Sequence, residues 1–224
     1  MTTQTSKPAT SKRELLKQQN QLTLITATLD CIADIGVAQT SVTEIVQRAG
    51  LSRGMIHLHF GSKDGLLVAA GEYASQLYYS NLSQLLEQTH GSPQKVIETV
   101  IRSDLSQEVL NQHSANIWYA FRGEARYFKE IAHFSDTRDK RLRDIVLQAF
   151  LQLAQQAAQQ QESDNQAQCD LAKEATYGTL ALMEGMWTDY LLHADSFNRD
   201  KAVRIVLRFL SALFPKSFDL NGAL

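Results

Sequence analysis

The chain has 224 residues, 44% hydrophobic and 21% charged, with a formal net charge of −2. That is an ordinary globular composition with enough apolar residues for a proper core, and its charge argues neither for nor against nucleic acid. The two cysteines, Cys31 and Cys169, lie far apart without a CxxC partner, which argues against a disulfide framework or zinc site and for a reducing interior. No apolar run reaches the length of a membrane span, and the polar start "MTTQTSKPATSKRE" is not a signal peptide, so a cytoplasmic protein without membrane contact is expected.

With three prolines and 11 glycines beside abundant Ala, Leu, Gln and Glu, long helices are favoured over a many-turned β fold. Residues 1–12 read as a disordered arm. Leu22, Ile25, Leu29 and Ile32 recur at three- and four-residue steps, predicting a helix over 13–35 that Gly36 ends. Thr40 or Ser41 caps a short second helix carrying Val42, Ile45, Val46 and Ala49, and Gly50 breaks it. Ser52 caps a third helix through Phe60. Gly61-Ser62 breaks the chain again, and Ser62 caps a long helix from Lys63 to about Thr89.

Further on, Ser92 and Pro93 mark a strong helix start. "NQHSANIW" suggests a break, with a helix from Ile117 to about Ile131. "HFSDTRD" reads as a polar joint capped at Ser135 or Asp136, followed by a helix to about Gln161 and a solvated Gln-rich loop. Two helices close the chain, Leu171–Leu192 and Arg199–Phe214, with Pro215 as a stop. No strand pattern appears, so the fold class is all-α.

Two short helices joined by a glycine-containing turn behind a longer helix have the form of a helix-turn-helix. The third helix then enters the major groove with its first residues at base edges. Arg53 can donate two hydrogen bonds to guanine, Gly54 permits close approach, and His57 shares the face of Arg53. Ser52, His59, Lys63 and the hydroxyls of Thr40, Ser41 and Thr43 are candidate phosphate contacts. Residues 1–66 hold seven basic and five acidic residues, a net of +2 on a body of −4, which fits phosphate contact at that end.

The stretch "TSVTEIVQRAGLSRGMIHLHFGSKDGLL" resembles the DNA-binding segment of the tetracycline-repressor (TetR) family. The likeness spans about residues 13–70. That family usually has tyrosine where this chain has His57, and an aromatic where it has Leu58. "IWYAFRGEARYFKEI", "RDKRLRDIV" and "ATYGTLALMEGMWTDYLL" resemble the choline-responsive BetI branch. The resemblance implies an all-α homodimer of about nine helices per chain, binding double-stranded operator DNA through its first three helices and a small-molecule effector in the larger part. The expected layout is a helix-turn-helix domain over 13–66, a ligand-binding and dimerisation domain over 67–215 and a tail over 216–224.

In the larger part, Tyr177, Glu184 and Trp187 share one face of a late helix, and Phe121 and Glu124 lie on one stripe of an earlier one. A carboxylate on an apolar face is costly to bury without a partner. Either each glutamate pairs with an arginine such as Arg122 or Arg126, or reaches solvent, or the faces wall a pocket for an organic cation, with Trp118 and Trp187 as walls. Gly178, Leu182 and Gly185 on the same late helix, with Val203, Leu207 and Leu210 on the last, form the expected dimer interface.

There is no nucleophile–base pair, phosphate loop, metal cluster or pair of catalytic acids, so neither an enzyme nor a cofactor or metal site is expected. The rival readings are a helical protein-interaction module without DNA binding and a redox-responsive regulator using Cys31 and Cys169.

Overall fold

The structure, a computed structural model, describes residues 11–125, 129–158 and 165–218, with side chains described outside 129–139 and 158. Among these residues nine α-helices and one short 3₁₀ turn form, and no strand. Most of the expected arm, the Gln-rich loop and most of the tail lie outside the described residues.

Helix α1 (Lys12–Gln39) starts at Ser11, whose hydroxyl accepts from the Glu14 N–H. It does not stop at Gly36. That glycine takes φ 77°, a left-handed value that costs it little, and the chain makes one more turn before Thr40. α1 is also long and apolar enough to cross a membrane, contrary to the sequence reading. Its apolar residues Leu24, Leu29, Ile32 and Val37 are instead core.

α2 (Val42–Ala49), α3 (Arg53–Phe60) and α4 (Lys63–Glu87) follow in the expected register. α5 (Pro93–Asp104) starts at Ser92, as predicted. α6 (Gln112–Glu124) begins five residues early, because Asn111 accepts from the Ser114 N–H and caps it there. α7 (Lys129–Ala158) runs unbroken through "HFSDTRD". The segment contains neither glycine nor proline, and polar residues alone do not end a helix whose other face is apolar. α8 (Asn165–His193) and α9 (Arg199–Leu213) close the fold.

Three apolar clusters hold these helices. Leu24, Cys31, Ile45, Ile56 and Leu66 fasten α2 and α3 onto α1 and α4. Leu29, Ile32, Val37, Leu67, Ile117 and Phe121 join α1, α4 and α6. The third and largest gathers α4 to α9 around Phe150, Ile101 and Leu210. Arg199 fixes the start of α9 by donating to the carbonyls of Leu105 at 2.9 Å and Leu110 at 2.7 Å. A cation suits the end of α5, where the carbonyls lack helical partners.

The structure revises the dimer residues. Val203, Leu207 and Leu210 are buried within this one chain. Gly178 makes room for α9: a Cβ there would collide with the Phe209 ring. Leu182 packs half-buried against the same core, and only Gly185 faces open space. An apolar stripe reads alike whether its partner is the same chain or another.

Leu210→Ala is therefore expected to cost about 2–5 kcal/mol of folding stability by urea unfolding, with the folded fraction keeping the parent's oligomeric state in sedimentation. A change of oligomeric state at unchanged stability would return Leu210 to an interface.

Candidate functional site

The head is built to present α3. Ser41 and Glu44 form a reciprocal cap at α2: the Ser41 N–H and hydroxyl donate to the Glu44 carboxylate at 3.0 and 2.7 Å, and the Glu44 N–H donates back. The Ser41 hydroxyl, followed by its N–H, holds the Glu44 carboxyl below the usual range. Gly50 turns the chain in the left-handed region, and Arg48 ties the end of α2 to Asp34 of α1 at 2.6 Å. A Cβ at Gly65 would collide with the Phe60 carbonyl oxygen, so glycine is required where α4 meets the end of α3.

Ile56 is buried and Met55 and Phe60 pack on the same cluster, which leaves Ser52, Arg53, Gly54, His57 and Leu58 outward. Arg53 donates to the Thr43 hydroxyl at 2.6 Å, so its guanidinium is held against the start of α2 with other N–H groups available. Ser52 sits at the cap position of α3 but makes no capping hydrogen bond through its side chain. His57 Nδ1 lies 2.7 Å from the Gly61 carbonyl oxygen. That nitrogen must carry the proton, so the neutral ring offers Nε2 as an acceptor. Lys63 is half-buried at the first position of α4, and Ser62 caps that helix by accepting from the Gly65 N–H.

Three expected phosphate contacts are taken out of the set. Thr40 is buried, and its hydroxyl donates to the Gly36 carbonyl at 2.7 Å. The Ser41 hydroxyl proton is engaged by Glu44. Both ring nitrogens of His59 are covered by protein and have no hydrogen-bond partner. Leu58, outward on α3 beside Gly54 and His57, is 72% exposed. An apolar side chain there suits a thymine methyl.

In the larger part a cavity of about 520 Å³ lies between α5, α6, α7 and α8. Trp118, Tyr177, Glu184 and Trp187 line it as expected, although Tyr177 is 75% exposed and stands at the surface. Phe121 does not line it. That ring is buried in the α1–α4–α6 cluster and borders a neighbouring cavity of about 190 Å³. Glu124 borders neither. The Glu184 carboxylate is answered from α6: Arg122 lies 2.8 Å away, and the Tyr119 hydroxyl donates at 3.1 Å. Burial, first of all, pushes the Tyr119 hydroxyl up from its ordinary value. The Arg122 guanidinium also sits 5.4 Å from the Trp118 ring centre.

The residue that sequence reasoning missed is Asp104. It borders the cavity at only 4% exposure and accepts from Trp187 Nε1 at 2.8 Å and the Tyr78 hydroxyl at 2.9 Å. Its signal was present: Ile97, Val100, Ile101 and Asp104 follow i, i+3, i+4, i+7, which puts a carboxylate in the buried register of α5. Cys31 is buried, and burial pushes its thiol up, which disfavours the thiolate that redox sensing requires.

A helix-turn-helix on a helical body with a half-open cavity has the form of a DNA-binding regulator. The description "Bacterial regulatory proteins, tetR family" matches residues 24–70, and "BetI-type transcriptional repressor, C-terminal" matches residues 93–215. The regulator BetI of Pectobacterium carotovorum subsp. carotovorum is 28% identical over 204 residues, 91% of this chain and 96% of that protein. Escherichia coli K12 BetI is 24% identical over 193 residues, 86% and 92% of the two chains. Two solved structures share the fold. A putative transcriptional regulator from Pseudomonas aeruginosa PAO1 has a TM-score of 0.78 at 24% identity, over 90% and 93% of the chains. One from Saccharomonospora viridis in complex with choline has 0.69 at 16%, over 87% and 96%. The chain belongs to the tetR family of transcriptional regulators, in its BetI-type branch, a family of regulators and not of enzymes.

Asparagine at 104 keeps one acceptor oxygen but turns an NH₂ group toward a second donor. Asp104→Asn should lower stability by about 1–3 kcal/mol in urea unfolding and shift the emission of the Trp187 region. Unchanged stability would mean that the two donors find other partners.

Proposed function

We propose that this chain is a cytoplasmic, dimeric repressor that leaves its operator when a small organic cation fills the cavity beside Asp104. The observation that carries the reading is a cavity walled by Trp118 and Trp187 with two carboxylates, Asp104 and Glu184, in its lining, since indole faces attract a cation. The choline complex of the Saccharomonospora viridis relative supports the same chemistry. α6 supplies the route to DNA. It gives Trp118 and Arg122 to the cavity, while His113 meets Asp30 at 2.9 Å and Asn116 donates to the Ala33 carbonyl at 2.9 Å, both on α1. A cation that binds one setting of α6 better than the other shifts the head by no more than that difference in affinity.

The second copy is assigned to the outer face of α8 and α9. Tyr177, Ala181, Gly185 and Leu192 stand exposed on α8, with Ile205 on α9, where small and apolar side chains meet water. Two heads so joined read two half-sites.

Arg53→Ala should weaken binding to DNA upstream of the protein's own gene by about 1–3 kcal/mol and relax preference at one base pair per half-site. Lys63→Ala should weaken binding to every sequence and flatten the salt slope by about 1. Gel shifts at several salt concentrations read both, and equal losses of Arg53→Ala on cognate and random DNA would make Arg53 a backbone contact.

Calorimetry with choline and its neutral carbon isostere tests the cavity. Choline should bind at least about tenfold more tightly. Equal binding of the isostere would remove the cation from the reading while leaving the repressor.

A further inference from the structure

We infer that His57 reads an exocyclic amino group, so that at one base pair per half-site the strand it meets carries adenine or cytosine and not guanine or thymine. The inference rests on the DNA-binding reading of α3 and names the base feature that one residue of that helix selects. His57 and Gly61 are joined twice. The Gly61 N–H donates to the His57 carbonyl at 3.1 Å, and the Gly61 carbonyl oxygen lies 2.7 Å from His57 Nδ1. A carbonyl oxygen only accepts, so Nδ1 holds the proton and Nε2 of the neutral ring carries a lone pair. A tyrosine hydroxyl, the group that the family usually has at this position, can both donate and accept. His57 in this tautomer only accepts.

The chemistry of duplex DNA then narrows what Nε2 can meet. Phosphate and deoxyribose oxygens only accept, and they oppose the lone pair. In the major groove guanine presents N7 and O6, both acceptors, and thymine presents O4 and a methyl group. The donors there are the N6 amino group of adenine and the N4 amino group of cytosine. The approach to the ring is open. His57 is exposed, and Gly54 lies exposed one turn earlier on the same face. Gly54 has no left-handed φ, and a Cβ there would meet only the Ser52 hydroxyl, at an ordinary 3.8 Å. Nothing inside the protein requires glycine at that place, although glycine weakens a helix. The missing side chain leaves room for a base edge beside the imidazole. Arg53 stands four residues before His57, about 6 Å along the helix axis. At about 3.4 Å per nucleotide step, the bases that the two side chains read lie within about two base pairs of each other.

Selection of the full chain on randomised duplexes at pH 8, where imidazole is neutral, tests the assignment. Each half-site should hold an adenine or cytosine within about two base pairs of the guanine whose preference Arg53→Ala relaxes. His57→Ala should relax that adenine or cytosine by at least about fivefold and leave the other positions as they were. On the selected duplex, the analogue of the same base without its amino group should weaken the parent about fivefold and leave His57→Ala nearly unchanged. Circular dichroism checks that the variant is folded, and the analogue on the parent does not depend on it. A guanine or thymine at the relaxed position overturns the assignment, and so does an equal loss from the analogue in parent and variant. An even loss of His57→Ala on every sequence, or no loss at all, overturns it too, and in each case the regulator reading stands. If the parent selects no sequence, the DNA-binding reading of α3 falls and this inference with it.

Discussion

Helix α6 is gripped from both sides, and the rest of the molecule is arranged around that constraint. Ile117 and Phe121 are buried against α1 and α4, while Trp118 closes the cavity from the other side of the same two turns. A close-packed interior cannot absorb a shift of such a helix by local give, since neighbouring side chains already fill the space. Movement at Trp118 must therefore appear at α1. Asp30 and Ala33, whose polar groups α6 holds, lie within two turns before Gly36, where α1 is already broken. The kink provides a place where α1 can change direction without losing helix on either side.

The two acidic residues that border the cavity illustrate how environment, and not residue type, decides a role. Glu184 lies partly in solvent and meets an arginine that is also partly exposed, an arrangement of small energetic weight. Asp104 is enclosed, and it accepts hydrogen bonds from the Tyr78 phenol and the Trp187 indole. Burying a carboxylate is costly, and hydrogen bonds to it offset that cost. The same donors also fix the Trp187 ring, so the carboxylate and one aromatic wall are set by a single arrangement.

The head was largely legible in the sequence because its determinants are local. Ser41 with Glu44, Gly50, Ser62 and the spacing of Ile45, Ile56 and Phe60 act within a few residues of one another. What could not be read was where each hydroxyl and ring nitrogen turned. Thr40 bonds back to Gly36, and the His59 nitrogens are covered, outcomes that depend on the kink and on packing against neighbouring elements. In the larger part the difficulty was distance along the chain. Asp104 meets Trp187 across 83 positions and Arg122 meets Glu184 across 62, and periodicity carries no information about such pairs. The stripe of Val203, Leu207 and Leu210 was correctly apolar but assigned to the wrong neighbour.

The loss of Thr40, Ser41 and His59 from the phosphate contacts has a consequence for how DNA is read. Phosphate contacts set affinity and register without sequence information. On the proposed reading, fewer of them leave a larger share of the binding energy to the outward face of α3, where Arg53, Gly54, His57 and Leu58 are exposed. These groups are chemically unlike: a bidentate donor, a gap, an acceptor nitrogen and an apolar surface. His57 is restrained by Gly61, and Arg53 by Thr43, so both would have little rotamer freedom left to lose on binding DNA. A face of restrained and mutually distinct groups penalises a wrong base at each position separately. The proposed reading thus concentrates sequence selectivity in one eight-residue helix, held in place by the buried Ile56 and by the close approach that Gly65 permits.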